Sequence, residues 1–166
     1  MKVLVVYGSK RGTTGEIAES VARELQSQGL TVDVVPVAEA DGVPRYDAVI
    51  VGGALYIERW YRTARRFVRS HREALAAVPV WFFSSGPLDN SASEGDVPPV
   101  KTVSKLMQTV DARGHKTFGG KLESNDHSPI ARALARDGMV GDFRDEQQIR
   151  AWADEIAEAL LGVRPG

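Results

Sequence analysis

Val3-Leu4-Val5-Val6-Tyr7 is an unbroken apolar run that stops at Gly8. Such a run fits a strand covered on both faces. Ile17, Val21 and Leu25 follow at spacing four, with Ala18 and Ala22 beside them, and Gly29 lies just beyond. That pattern predicts a helix with one buried stripe and a glycine stop. Thr31, Val32, Val34, Val35 and Val37 read as a second strand, and Pro36 within it points to a sheet edge. A third apolar run, 48–51, closes at Gly52-Gly53, and a helix is predicted over about 61–77. Residues 80–83 form a fourth strand that ends at Ser84-Ser85-Gly86-Pro87, and 88–100 read as a long polar loop. Val103, Leu106, Met107 and Val110 make a helical face. A fifth strand is expected over 116–122, broken by Gly119-Gly120. Residues 123–143 have no clear period apart from a helix expected at 130–136. Ile149, Trp152, Ile156 and Leu160 mark a final amphipathic helix. Strands alternating with helices in this way predict an α/β fold around a parallel sheet.

Composition narrows the function classes. The chain has 166 residues, 43% of them apolar, which suits one domain spanning 1–166. Lys plus Arg is 21 against 22 acidic residues, so a general nucleic-acid binder is not expected. With no cysteine, disulfides, thiolate metal sites and cysteine nucleophiles are excluded. His71, His115 and His127 share no metal-ligand spacing, so no metal is expected and all three are expected at the surface. No apolar run approaches the roughly 18 residues of a membrane span, and the N-terminal run is too short for a signal peptide. A cytoplasmic protein that is not transmembrane is expected.

The first strand hands over to the first helix through Gly8-Ser9-Lys10-Arg11-Gly12-Thr13-Thr14-Gly15. In a parallel α/β sheet, ligands sit beyond the carboxyl ends of the strands. Hydroxyls at Ser9, Thr13 and Thr14, open backbone amides and a helix N-terminus are chemistry for one terminal phosphate. Gly12 lets the backbone turn closely around it. The glycines at 8, 12 and 15 do not make the Gly-x-Gly-x-x-Gly of a dinucleotide loop, and no Gly-Lys-Ser/Thr is present. A helix start capped by Thr13 or Thr14 after a tight turn explains the same residues, and the pattern alone leaves both readings open.

Ser9-Lys10-Arg11-Gly12-Thr13-Thr14 resembles the Thr/Ser-x-Thr-Gly-x-Thr phosphate loop of the flavodoxin family, matching at Ser9, Gly12 and Thr14 and departing from it at Arg11. The resemblance implies a three-layer flavodoxin-like sandwich with a five-stranded parallel sheet in the order 2-1-3-4-5, and a bound FMN. It implies that Ser9, Lys10, Arg11, Gly12, Thr13 and Thr14 hold the phosphate. Ala54, Leu55 and Tyr56 would border the flavin ring on one side, and Ser84, Ser85, Gly86 and Pro87 on the other. Where the family carries an aromatic in this last loop, Leu88 and Asp89 stand here.

A narrower resemblance is to the menaquinone-linked protoporphyrinogen oxidase branch of flavodoxin-like proteins. It rests on Tyr7 to Thr14, on Gly52-Gly53-Ala54-Leu55-Tyr56 with Phe67, on Phe118-Gly119-Gly120-Lys121-Leu122, and on Gly141-Asp142-Phe143-Arg144-Asp145 before the Trp152 helix. That branch carries an insert after the fifth strand, here 123–143. It implies an oxidoreductase that takes electrons from a reduced substrate such as a porphyrinogen and passes them to a quinone or another carrier, in the cytoplasm or peripheral at the inner face of the membrane. The alternatives are a non-enzymatic electron carrier and a flavodoxin-like binding module without FMN.

Arg59, Arg62, Arg65, Arg66, Arg69 and Arg72 crowd one predicted helix, and Arg59, Arg62, Arg66 and Arg69 recur at spacing three or four, so they are expected to share a face. Such a face steers an anionic redox partner or a carboxylate substrate. A solvated face balanced by acids such as Asp154, Glu155 and Glu158 is the plainer reading. No side chain is assigned as a catalytic acid or base, since a flavin carries its own redox chemistry.

Overall fold

The first apolar run becomes β1 (Lys2–Gly8), and Val3 through Val6 are at most 1% exposed. The computed structural model describes residues 1–8, 12–56, 58–86, 97–122, 141–142 and 144–162. β1 is apolar on both faces because it lies inside a sheet. It pairs in parallel with β2 (Thr31–Pro36) on one side and β3 (Ala48–Tyr56) on the other. β3 pairs in parallel with β5 (Val80–Ser85), and β5 with β6 (Gly114–Phe118). The order β2-β1-β3-β5-β6 is the expected 2-1-3-4-5 arrangement of five parallel strands. Pro36 sits at the end of the edge strand β2. β4 (Arg59–Trp60) is a short antiparallel return on the tip of β3.

Side chains alternate across each strand, so one strand feeds two separate cores. On one face, Val3, Val5, Ile50, Trp81 and Phe83 pack under α1 (Gly12–Ser27) and α5 (Glu146–Leu161), which supply Ile17, Val21, Leu25, Trp152 and Ile156. On the other, Leu4, Val6, Val51 and Phe82 pack under α2 (Arg62–Ser70), α3 (Arg72–Ala76) and α4 (Lys101–Val110). The result is a three-layer sandwich. α5 opens with Asp145, whose carboxylate accepts from the amides of Gln147 and Gln148, and stops at Gly162 with φ 70°. No described helix is long and apolar enough to cross a membrane.

Four expectations are corrected. The third strand does not close at Gly52-Gly53 but runs on to Tyr56. The glycines are slots: a Cβ at Gly52 would lie 2.0 Å from the Phe83 ring, and one at Gly53 2.5 Å from the Trp60 ring. The fifth strand is 114–118, and Gly119-Gly120 ends it. Lys121–Leu122 (β7) instead pairs antiparallel with Gly141–Asp142 (β8) in a separate ribbon. The helix expected over 61–77 is two helices, parted at His71. His115 is half-buried rather than exposed, with its Nε2 2.8 Å from the Ser84 hydroxyl. The helix expected at 130–136, His127 and loop residues 88–96 lie outside the described residues.

Candidate functional site

The strand registers bring three loops into one row. Gly8 of β1 pairs with Gly53 of β3, Gly53 with Ser84 of β5, and Ala54 with Ser85. Ser85 pairs in turn with Phe118 of β6. All of these lie at the carboxyl ends of parallel strands, where an α/β sheet takes its ligands. Gly8 is a close-approach position: a Cβ there would lie 2.6 Å from the Ala64 nitrogen and 2.7 Å from the Thr63 hydroxyl, both in the first turn of α2. A larger residue would push β1 and α2 apart.

α1 begins at Gly12, and Ser9, Lys10 and Arg11 lie outside the described residues. Gly12 is exposed, and a Cβ there would meet nothing within 4 Å. Thr13 is half-buried and Thr14 is 1% exposed. The first turn of α1 has no acidic residue, so nothing competes there for the partial positive charge of the helix end. Glu16, further along, is ion-paired with Arg144, which ties the start of the last helical segment to α1. Tyr7 packs on Gly15, and burial, reinforced by Glu19 and Glu39, raises its phenol pKa and keeps it neutral.

Ala54, Leu55 and Tyr56 are half-buried along the rim, and the Tyr56 ring lies 5.9 Å from that of Tyr61. Gly86 adopts φ 116°, with Leu55 3.6 Å from where its Cβ would be, so the second and third loops touch here. Its amide donates to the Phe118 carbonyl at 2.9 Å, which leaves it engaged within the sheet. Pro87 lies outside the described residues. The Ser84 hydroxyl points into the opposite core. It accepts from the Trp60 indole N–H at 2.9 Å and lies 2.8 Å from His115 Nε2. Trp60 is 1% exposed, seated on Gly53 and against Phe82. Ser84 and Trp60 therefore brace the floor of the site.

His115 completes that brace, and its Nδ1 is buried with no hydrogen-bond partner. Burial pushes its pKa down to about 4 from an ordinary 6.5. It stays neutral when folded, so the unfolded chain binds the extra proton. Its contribution to stability is complete above about pH 6.5 and is lost as pH falls toward about 4, a loss on the order of 3 kcal/mol. Urea unfolding across that range should show this slope, and His115→Asn should flatten it. An unchanged slope in the variant would assign the pH dependence elsewhere. His115 escaped the sequence reading because a lone histidine in a polar-looking strand gives no burial signal; its register position opposite Phe82 does.

The arginines divide differently from the sequence expectation. Arg59 lies on β4, not on the helix. It lines a groove with Arg65, Arg69 and Arg72, joined by Lys105 of α4, whereas Arg62 and Arg66 do not line it.

A model of the flavodoxin domain matches residues 4–139. The chain belongs to the flavodoxin domain family. Among solved structures, this flavodoxin domain is similar over 97% of its length to 99% of a flavodoxin variant from Pseudomonas aeruginosa, at 21% identity and a TM-score of 0.64. It is similar to an archaeal flavodoxin over 97% of its own chain and 99% of the other, at 17% identity and a TM-score of 0.62. At those identities the likeness speaks for the fold. Among curated proteins, it is 31% identical over 86 residues to protoporphyrinogen IX dehydrogenase [quinone] of Escherichia coli K12. That match covers 51% of this chain and 48% of the relative, so it spans about half the length of the curated protein.

Proposed function

We propose that this flavodoxin domain binds FMN at the carboxyl ends of β1, β3 and β5 and serves as an electron-transfer protein that docks a redox partner. The observation that carries this reading is the open, acid-free start of α1 at Gly12, set beside the row of Gly8, Gly53 and Ser84. The donor chemistry fits a phosphate monoester: a helix N-terminus, the Thr13 and Thr14 hydroxyls, and the cations and hydroxyl of Ser9, Lys10 and Arg11. Ala54, Leu55 and Tyr56 hold one side of the ring, and Ser84, Ser85, Gly86 and Pro87 the other. Ser84 acts there through its backbone, since its hydroxyl is turned away. Bound FMN supplies the redox chemistry; the chain supplies binding, orientation and field.

A second reading is favoured by the 31% identity to a protoporphyrinogen dehydrogenase. In it, a porphyrinogen-like reduced substrate gives electrons that pass to a quinone, at the cytoplasmic face of a membrane. The carrier reading stands first because the flavodoxin domain model matches residues 4–139, whereas the match to the protoporphyrinogen dehydrogenase spans 86 residues, 48% of that relative. In either case the arginines of segment 59–72, Arg59 and Arg69 at the groove and Arg62 and Arg66 outside it, steer an anionic partner or substrate.

Anaerobic assays of the FMN-loaded chain separate the two. As a carrier, the photoreduced protein passes its electrons to ferricyanide, and protoporphyrinogen with a soluble quinone gives no porphyrin above the protein-free rate. Sustained, protein-dependent porphyrin formation would replace the carrier reading with the enzyme one.

A further inference from the structure

Arg59, Arg65, Arg69, Arg72 and Lys105 come from four separate elements and converge on one groove of about 670 Å³ between α2, α3 and α4. Its floor includes Leu106, and Thr102 and Thr109 stand along its α4 wall. Among the described residues, no carboxylate lies within ion-pair distance of these five cations, although Glu58 directly precedes Arg59 and Glu73 directly follows Arg72. Five like charges around one concavity repel one another, and the chain as a whole carries only −1. A concentration of charge this local is not needed for solubility.

Two contacts preorganise the groove. The Arg65 Nε donates to the Trp60 carbonyl at 2.9 Å, which fixes the guanidinium and leaves its two terminal nitrogens as donors. The Thr102 hydroxyl donates to the Glu58 carbonyl at 2.9 Å. Glu58 adopts φ 60°, a left-handed conformation that a residue with a side chain holds only at some cost, and it is the turn that delivers Arg59 to the groove. α4 thus clamps the strained turn that presents one cation while Lys105 supplies another. Guanidinium forks held in place match the paired oxygens of phosphate and carboxylate groups.

We propose that this groove is a ligand site, separate from the flavin site, for a small molecule carrying two or more phosphate or carboxylate groups. Its volume lies in the range of small-molecule pockets. The cations are spread along α2 and α3 and across to α4, which suits several oxyanions in a chain better than a single one. The site goes beyond the redox reading and does not depend on FMN being bound.

Calorimetric titration of the full chain tests it, with tripolyphosphate and citrate as the oligophosphate and polycarboxylate probes at matched ionic strength of about 0.15 M. At least one probe should bind saturably at one site with a Kd near or below about 100 μM, and sulfate at least about tenfold more weakly. Which probe binds identifies the source of the oxyanions. Arg65→Met with Arg69→Met should weaken binding by about 30-fold or more, whereas Arg62→Met with Arg66→Met should change it less than about threefold. FMN affinity should stay within about threefold in both double variants, so failure here is distinguishable from failure of the flavin site. The proposal is overturned if neither probe saturates, if sulfate matches them, or if both double variants weaken binding equally. A polyglutamate peptide binding where both compact probes fail would also overturn it, by making the groove a protein-docking face.

Discussion

Gly12→Asp is expected to abolish FMN retention while leaving the fold at least as stable. A carboxylate placed in the first turn of α1 confronts the phosphate where the helix end attracts it. Like charges about 4 Å apart interact by about 4 kcal/mol near a protein surface, so a loss of about 100-fold or more in affinity is a conservative expectation. The same carboxylate favours the helix dipole by about 0.3–1 kcal/mol, so the urea midpoint should hold or rise. The residue has room, since nothing lies within 4 Å of a Cβ there and Gly12 is not among the positive-φ glycines. Gly12→Asn, similar in shape and neutral, should weaken FMN far less. Equal affinity in wild type and the aspartate variant would remove the phosphate from this helix end.

Gly52→Val is the second large effect, and it acts on the fold. The added Cβ would lie 2.0 Å from the Phe83 ring. That ring is hemmed in by Phe118 and Trp152, with ring centres 6.1 Å away on each, so it has nowhere to go. Overpacking in a well-filled core costs about 1–3 kcal/mol and more where nothing yields. A loss of about 3 kcal/mol or more is expected in urea unfolding, a large share of a typical domain's total. Phe83→Leu in the same chain should recover part of it. An unaffected midpoint for Gly52→Val would mean that the ring and strand are looser than described.

The strands and their parallel sheet were legible because β1 and β3 are buried on both faces and read as continuous apolar runs, and Pro36 marked an edge; the order of the strands came only from the resemblance to flavodoxins. The loop after β1 offered phosphate-binding residue types, but those same types also suit a capped helix start, and the start of α1 at Gly12 is what the structure adds. Gly52-Gly53 misled as a strand end because glycine carries the same letter whether it terminates a strand or makes room for Phe83 and Trp60. The break at His71 was hidden by helical spacing that continues across it; the His71 ring lies on Phe67 at 4.4 Å and its Nδ1 is 3.0 Å from the Phe67 carbonyl. The Trp60–Ser84–His115 brace joins residues far apart in sequence, and local pattern carries no trace of it. Spacing grouped Arg59 with Arg62 and Arg66, but a hairpin moved Arg59 off the helix, and Lys105 enters only through tertiary packing.

Equilibrium titration of the apoprotein with FMN and with riboflavin, followed by quenching of flavin fluorescence, tests the central claim most directly. The two ligands differ only in the phosphate. The start of α1 and residues 9–14 should make FMN bind about 100-fold or more tightly than riboflavin, with a stoichiometry of one. Equal affinity for the two, or no quenching by either, would contradict it.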